Sequence, residues 1–250
     1  MLISLIVPCY NEEEAMPLFY KEASRVAAEM KTSHGADFEF IFVDDGSRDG
    51  TLRVARELHA QDDRVRYVSF SRNFGKEAAM YAGLRASRGD FAVIMDADLQ
   101  HPPELIAEMV RVIEATGCDS CAARRVSRKG EPAIRSFFAR SFYKIMNRYS
   151  DIEIVDGAVD FRMMSRRMVK AIVSMPETQR FSKGIFAWVG FETRWIEFEN
   201  VKRISGESKW SLWSLMKYAV DGFIDFAASP LKFAGVFGSV TAAGAAVYLI

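Results

Sequence analysis

Cysteine and histidine are scarce in this 250-residue chain, at three each, and net charge is absent, with 33 Lys plus Arg against 33 Asp plus Glu. Three cysteines do not make a disulfide framework, and Cys9, Cys118 and Cys121 fit a reducing, cytosolic environment. Cys118-Asp119-Ser120-Cys121 has zinc or redox spacing, but no second pair and no nearby histidine completes a site. Ordinary buried thiols are the better reading. Charge balance counts against nucleic acid as the main partner, because such chains are usually basic overall. The N-terminal Met1-Leu2-Ile3-Ser4-Leu5-Ile6-Val7-Pro8 lacks a charged n-region and a small-residue cleavage site, and reads as a first strand rather than a leader. Two phosphate-binding signatures are missing as well. The Gly-x-Gly-x-x-Gly turn of nicotinamide-binding folds does not follow the first strand, where Pro8-Cys9-Tyr10-Asn11-Glu12 stands instead, and there is no Walker loop.

What is present is regular alternation. Half the residues are hydrophobic and 26% charged, which predicts a globular core. Apolar runs at 3–7, 38–43, 65–70 and 91–95 read as strands. Between them, helices are expected from Asn11 to about Lys31, from Asp49 to near His59 and over 76–86, with another opening at Pro102-Pro103-Glu104. The alternation continues through about residue 123. It predicts an α/β fold with a doubly wound, mostly parallel, Rossmann-like sheet and a site at the strands' carboxyl ends.

The stretch Phe91-Ala92-Val93-Ile94-Met95-Asp96-Ala97-Asp98-Leu99-Gln100 carries the sharpest chemical signal. In a regular strand Asp96 and Asp98 would face the same side, where they repel unless a cation or proton sits between them. Hard oxygen ligands select Mg²⁺ or Mn²⁺, and Mg²⁺ is commonly held by one or two carboxylates plus substrate phosphates. The competing reading is a solvated Asp-rich turn that caps the next helix. Glu12 after the first strand, and Asp44 and Asp45 after the second, add acidic groups at the same end. Carboxylates suit ribose hydroxyls, a base imino proton and a metal, which implies a nucleotide whose phosphates are held through a cation.

Three segments in order carry a family resemblance: Ile6-Val7-Pro8-Cys9-Tyr10-Asn11-Glu12, Val43-Asp44-Asp45-Gly46-Ser47-Arg48-Asp49-Gly50-Thr51 and Asp96-Ala97-Asp98-Leu99-Gln100. They resemble the inverting glycosyltransferases of family 2, with the GT-A fold. Ser71-Arg72-Asn73-Phe74-Gly75-Lys76-Glu77, Asp98-Leu99-Gln100-His101-Pro102-Pro103-Glu104, Asp160-Phe161-Arg162, Trp188-Val189-Gly190-Phe191 and Arg203-Ile204-Ser205-Gly206-Glu207-Ser208-Lys209 narrow this further. They are similar to the dolichyl- and bactoprenyl-phosphate sugar synthases, the bactoprenol glucosyltransferases among them. The resemblance implies that Pro8, Tyr10, Glu12, Val43 and Asp45 hold the donor's base and ribose. Lys76, Asp96 and the Ala97 backbone would also lie against the nucleotide. It implies Asp96, Asp98 and Gln100 as metal ligands, and Arg124, Arg135, Arg203 and Lys209 as phosphate and acceptor contacts. Asp98, Asp160 and Arg203 become the expected catalytic residues, with Asp160 in the position of a general base. One segment departs from the family: Asp156-Gly157-Ala158-Val159 stands where an Asp-Thr-Gly often precedes the Asp-Phe-Arg.

Two further segments bear on membranes. Ala133–Tyr149 has helical period, with Ile134, Phe137, Phe138, Phe142, Ile145 and Tyr149 on one face and Arg140, Lys144 and Arg148 four apart on another. That suits either an anionic membrane surface or a core helix with a solvated basic face. From Trp210 to Ala228, Ser214, Lys217, Asp221 and Asp225 form one polar stripe among apolar and aromatic residues, as at a lipid headgroup zone. Phe233–Ile250 is an uncharged run that, as a helix, would nearly match the hydrocarbon thickness. Residues 1–209 are therefore expected as a cytosolic GT-A domain, and 210–250 as an interfacial helix plus a transmembrane segment on the inner membrane. The resemblance also suggests a homo-oligomer.

The expected reaction is inverting transfer of a hexose from a nucleotide-diphosphate sugar to polyprenyl (undecaprenyl) phosphate, with Mg²⁺ or Mn²⁺. Glucose from UDP-glucose is the leading expectation, and other hexoses stay open. Two alternatives remain at this point. One is a polysaccharide- or protein-directed transferase of the same fold, although Gln179-Arg180-Phe181 does not supply the Gln-x-x-Arg-Trp of polysaccharide synthases. The other is a non-catalytic membrane scaffold that binds nucleotides.

Overall fold

A computed structural model describes residues 1–126, 147–148, 154–175, 177, 179–198 and 229–248. Among them, seven strands form one sheet: β1 (Leu2–Cys9), β2 (Asp37–Asp44), β3 (Val65–Ser69), β4 (Phe91–Ile94), β5 (Ser120–Arg125), β6 (Ala158–Ser165) and β7 (Thr193–Phe198). Their order across the sheet is β3-β2-β1-β4-β6-β5-β7. The β1–β2, β1–β4, β2–β3 and β5–β7 pairs are parallel, while β6 runs antiparallel to both β4 and β5. The mostly parallel, doubly wound sheet is as the alternation predicted. The reversed β6 is new.

Side-chain alternation places helices on both faces. Ile3, Leu5 and Val7 of β1, with Phe38, Phe40 and Phe42 of β2, point into one core. There they meet Met16, Phe19, Ala23 and Val26 of α1 (Ala15–His34), together with α2 (Thr51–Gln61) and α4 (Leu105–Thr116). Ile6, Ile41 and Val43 point the other way, to Ala79, Met80 and Leu84 of α3 (Lys76–Ala86). That second core also takes in α5 (Arg166–Val173) and α6 (Ser182–Trp188). Each fully buried phenylalanine contributes about 1.5–3 kcal/mol by leaving water. At the amino ends of the strands, buried Glu39 accepts from Ser4 Oγ (2.5 Å), Arg66 (3.0 Å) and the Arg88 N–H (2.6 Å), so its charge is compensated.

Several boundaries differ from expectation for identifiable reasons. The first helix starts at Ala15, after the acidic run, because Glu13 accepts the Gly50 N–H (2.9 Å) and an Arg53 hydrogen bond (2.7 Å) instead of facing its own helix terminus. Strand β4 ends at Ile94, before the two aspartates, and Ala97-Asp98 is a turn whose next residue, Leu99, has a left-handed φ of 53°. Asp96 and Asp98 are thus presented by a turn and not by strand alternation.

The C-terminal helix α7 (Ser229–Tyr248) is observed, and its residues 235–248 are all exposed. Among the described residues no helix is long and apolar enough to cross a membrane, so the spanning segment expected over 233–250 is not supported there. Glycines 235, 238 and 244 with Ser239 and Thr241 dilute the apolar character of this helix. The amphipathic segments expected at Ala133–Tyr149 and Trp210–Ala228, apart from residues 147 and 148, lie outside the described residues, as do Arg135, Arg203 and Lys209.

Candidate active site

The carboxyl ends of β1, β2 and β4 meet the amino end of β6, and most of the expected site residues gather there. The β1 and β2 ends are bound to one another. The Asn11 N–H donates to Ser47 Oγ (2.9 Å), Asn11 Oδ1 accepts the Arg48 N–H (2.8 Å), and the Glu12 N–H donates to Thr51 Oγ1 (2.8 Å). Asn11 holds a left-handed φ of 52° to make these bonds, a conformation asparagine tolerates better than most residues. Gly46 has a φ of 65°, and a Cβ there would fall 2.3 Å from the Arg72 carbonyl carbon, so only glycine fits.

Asp44 accepts the Ser47 N–H (3.0 Å) and the Ser69 hydroxyl (3.1 Å). Asp45 accepts the N–H groups of Phe74 (2.7 Å) and Gly75 (2.9 Å), immediately before α3. Burial pushes the Asp45 carboxyl above its ordinary range, and the two N–H groups only partly offset that. Asp45 therefore fixes the loop that launches Lys76. Pro8, Tyr10 and Glu12 line the half-buried end of β1 beside this network, and Val43 is buried within β2.

Lys76 is the centre of the cluster. Its Nζ lies 2.7 Å from Asp96 Oδ1 and 2.9 Å from Oδ2, and it donates to Asp160 Oδ2 at 2.7 Å. Burial pushes the ammonium toward neutrality, but Asp160 and Asp96 outweigh it and hold the pKa above the ordinary lysine value. Burial likewise pushes the Asp160 carboxyl up, yet Lys76, Lys183 and Arg162 bring it well below the usual carboxylate range. Asp160 is thus a poor proton acceptor as it stands. Asp98 Oδ1 accepts the Gln100 N–H at 3.1 Å, closing the turn that presents both aspartates. Arg124 is exposed near the end of β5, opposite Ala158 of β6.

Three groups here were not assigned roles from sequence. His101 is buried and stacks on Phe161 (5.6 Å between centroids) and edge-on to Phe198 (5.3 Å), anchoring the end of the aspartate turn. Burial lowers its pKa, which leaves the imidazole neutral near pH 7. Arg162 is 3% exposed, with its guanidinium 3.9 Å over the Phe186 ring; burial lowers its pKa to about 10. It borders a cavity of about 350 Å³ that Lys183 and Trp195 also line. Glu77 accepts both the N–H and the hydroxyl of Ser182, tying α3 to the start of α6. Each of these links joins residues far apart in sequence. Only the appearance of His101, Arg162 and Glu77 inside the motifs of the family resemblance could have pointed to them.

Residues 4–173 match the family described as glycosyl transferase family 2. The chain belongs to glycosyl transferase family 2. This transferase is 40% identical over 248 residues to the prophage bactoprenol glucosyl transferase homolog of Escherichia coli K12, covering 99% of this chain and 79% of that protein. Its fold is similar to a mannosyltransferase from Pyrobaculum calidifontis solved with GDP-mannose and Mn²⁺, at a TM-score of 0.61 and 18% identity. That match covers 89% of this chain and 63% of the other, so the transferase spans under two thirds of that relative's length. It also resembles glucosyl-3-phosphoglycerate synthase from Mycobacterium tuberculosis, solved with Mn²⁺, UDP-glucose and phosphoglyceric acid, at a TM-score of 0.53 and 18% identity over 87% of this chain and 76% of the other. At these identities the two structures establish the GT-A-like α/β fold of the transferase. They do not by themselves assign its substrates.

Proposed function

We propose that this transferase moves a hexose, glucose first among the candidates, from a nucleotide-diphosphate donor such as UDP-glucose to the phosphate of a polyprenol, inverting the anomeric centre. The observation that carries the reading is the pairing of Lys76 with Asp96 and Asp160 at the strand ends, with Asp98 in the same turn as Asp96. The bactoprenol name of the Escherichia coli relative supports the acceptor, and the sugar nucleotides bound by the fold relatives support the donor class.

A divalent cation fits the residues present. Asp96 and Asp98 supply hard oxygens from one turn, and the Lys76 ammonium against both Asp96 oxygens marks a cation-seeking position. Among the described residues no group of three or more His, Cys, Asp or Glu side chains could hold a metal unaided. That suits an ion completed by donor phosphates, with Asp96, Asp98 and Gln100 on the protein side. Once bound, Mg²⁺ or Mn²⁺ would neutralise charge gathering on the departing diphosphate. Pro8, Tyr10, Glu12, Val43 and Asp45 would hold the nucleoside at the rigid β1–β2 end, with the Ala97 backbone of the turn after β4 against it. Arg124, with Arg135, Arg203 and Lys209, would orient phosphates, as guanidinium groups do well.

Asp160 favours a phosphate acceptor over a sugar hydroxyl. A carboxylate held well below its usual pKa is a weak base, whereas a phosphate monoester is already largely ionised near neutral pH and needs little deprotonation. Action at the cytoplasmic face of the inner membrane, as a homo-oligomer, completes the reading. Exposed Val236, Phe237 and Val240 on α7 support contact of that helix with a lipid surface. The test is labelled UDP-glucose incubated with undecaprenyl phosphate, Mn²⁺ and the enzyme in detergent. Label in an organic-extractable lipid is expected. Label only in polymer or in free sugar would overturn the acceptor assignment.

A further inference from the structure

Lys76 makes close contact with two carboxylates that come from different sheet elements. Against Asp96 it uses both oxygens, at 2.7 and 2.9 Å, which are the same atoms a divalent ion would need. Two cations cannot both sit on one carboxylate at ligand distance without strong repulsion. The lysine backbone is fixed, because Gly75 is held by Asp45 and Lys76 opens α3. Its side chain is 26% exposed and flexible, so the ammonium can move while the backbone stays. Asp160, 2.7 Å away on β6, gives it a second anchor when Asp96 is taken. Ion-paired to two carboxylates, the lysine is held as a cation.

We propose that Lys76 is a resident counter-ion that competes with the divalent cation for Asp96. Cation binding moves the ammonium off Asp96 while Asp160 retains it. The released ammonium then faces the donor's diphosphate, which also supplies the ion's remaining ligands. Free metal accordingly binds weakly, and metal and nucleotide bind together. Lys76 is in this sense a positioning residue that acts through Asp96. The inference rests on the metal-dependent reading proposed above.

Mn²⁺ binding, measured by loss of the free-ion electron paramagnetic resonance signal, separates the possibilities in the wild type, Lys76→Met and Lys76→Arg, with and without UDP. Without UDP, Lys76→Met should bind Mn²⁺ about tenfold more tightly or better, since one adjacent positive charge is gone. Lys76→Arg, which keeps the charge, should stay within about threefold of wild type, and UDP should narrow the gap. Mn²⁺ bound equally by all three proteins would sink the inference and leave the metal reading standing. No Mn²⁺ bound by any of them with UDP present would sink the metal reading, and this inference with it. If Lys76→Met does not fold by circular dichroism, acylation of Lys76 in the wild type, followed by peptide mass spectrometry, decides the matter. Faster acylation on adding Mn²⁺ alone supports release from Asp96; unchanged or slower acylation overturns it.

Discussion

At the β1–β2 end of the site, Asp44, Asp45, Asn11 and Glu13 each hold backbone N–H groups of neighbouring loops, and at the opposite, amino end of the same two strands Glu39 is fully engaged. At the β6 end, Asp160 Oδ1, Arg162 Nε and His101 Nδ1 are buried with no hydrogen bond among the described residues. Buried polar atoms without partners are costly, and native proteins retain few of them. The contrast separates an internally bonded, rigid half from a half that, on the function proposed above, faces the reacting parts. A nucleoside needs a preformed surface, and on the same reading the sugar and acceptor bring hydrogen-bonding groups that the β6 end can meet.

Mutations can break or sharpen this contrast. In the rigid half, Glu39→Ala should cost about 3 kcal/mol by urea denaturation, because it leaves the Arg88 N–H without its acceptor and removes the carboxylate that Ser4 and Arg66 share. Burial pushes the Glu39 carboxyl up, but Ser4, the Arg88 N–H and Arg66 pull it below its ordinary value. Its contribution is therefore present above about pH 4.3 and fades as pH falls, so the gap between mutant and wild type should narrow toward pH 3. In the reacting half the sign of the effect shifts from stability to rate. Asp98→Asn should lower transfer of labelled sugar about a hundredfold while leaving stability within about 1 kcal/mol. Asp160→Asn should lose only about tenfold in the same assay, since a poor base contributes little proton transfer. Arg162→Met should change stability least, to within about 1 kcal/mol of wild type or slightly above it. Replacing a buried, poorly paired charge by a packed apolar chain is often neutral. A loss of several kcal/mol there would show that Arg162 is structurally satisfied and erase the contrast.

The rigid half was largely legible in the sequence, and the reacting half less so. Apolar runs such as Phe38–Val43 announce a buried strand locally, and Asp44-Asp45-Gly46 marks its end. The Asp96-Ala97-Asp98 pair was visible too, although the turn at Ala97-Asp98 replaces the strand geometry expected of it. Pairing direction is not a local property: nothing within Ala158–Ser165 marks its direction, and only its neighbours β4 and β5 show that β6 is reversed. The Lys76–Asp160 contact joins residues 84 positions apart, and the stacking of His101 on Phe161 likewise depends on strand order. The membrane expectations fell on segments where composition speaks and packing does not. There the exposed, small-residue helix α7 is what the fold provides.

The reversed strand has an architectural consequence. β5 and β6 are antiparallel neighbours, and the Arg125 N–H donates to the Gly157 carbonyl at 2.9 Å. Residues 126–156, with most of the basic stretch, are thus inserted between two chain positions that one hydrogen bond holds together. Gly157 keeps that junction closed, since a Cβ there would lie 2.6 Å from the Arg125 oxygen. Halving or doubling a connection between ends fixed in this way alters its closure cost by only about 0.6 kcal/mol. A change of length between Arg125 and Gly157 therefore costs the fold little, whereas a side chain at position 157 would force the junction open.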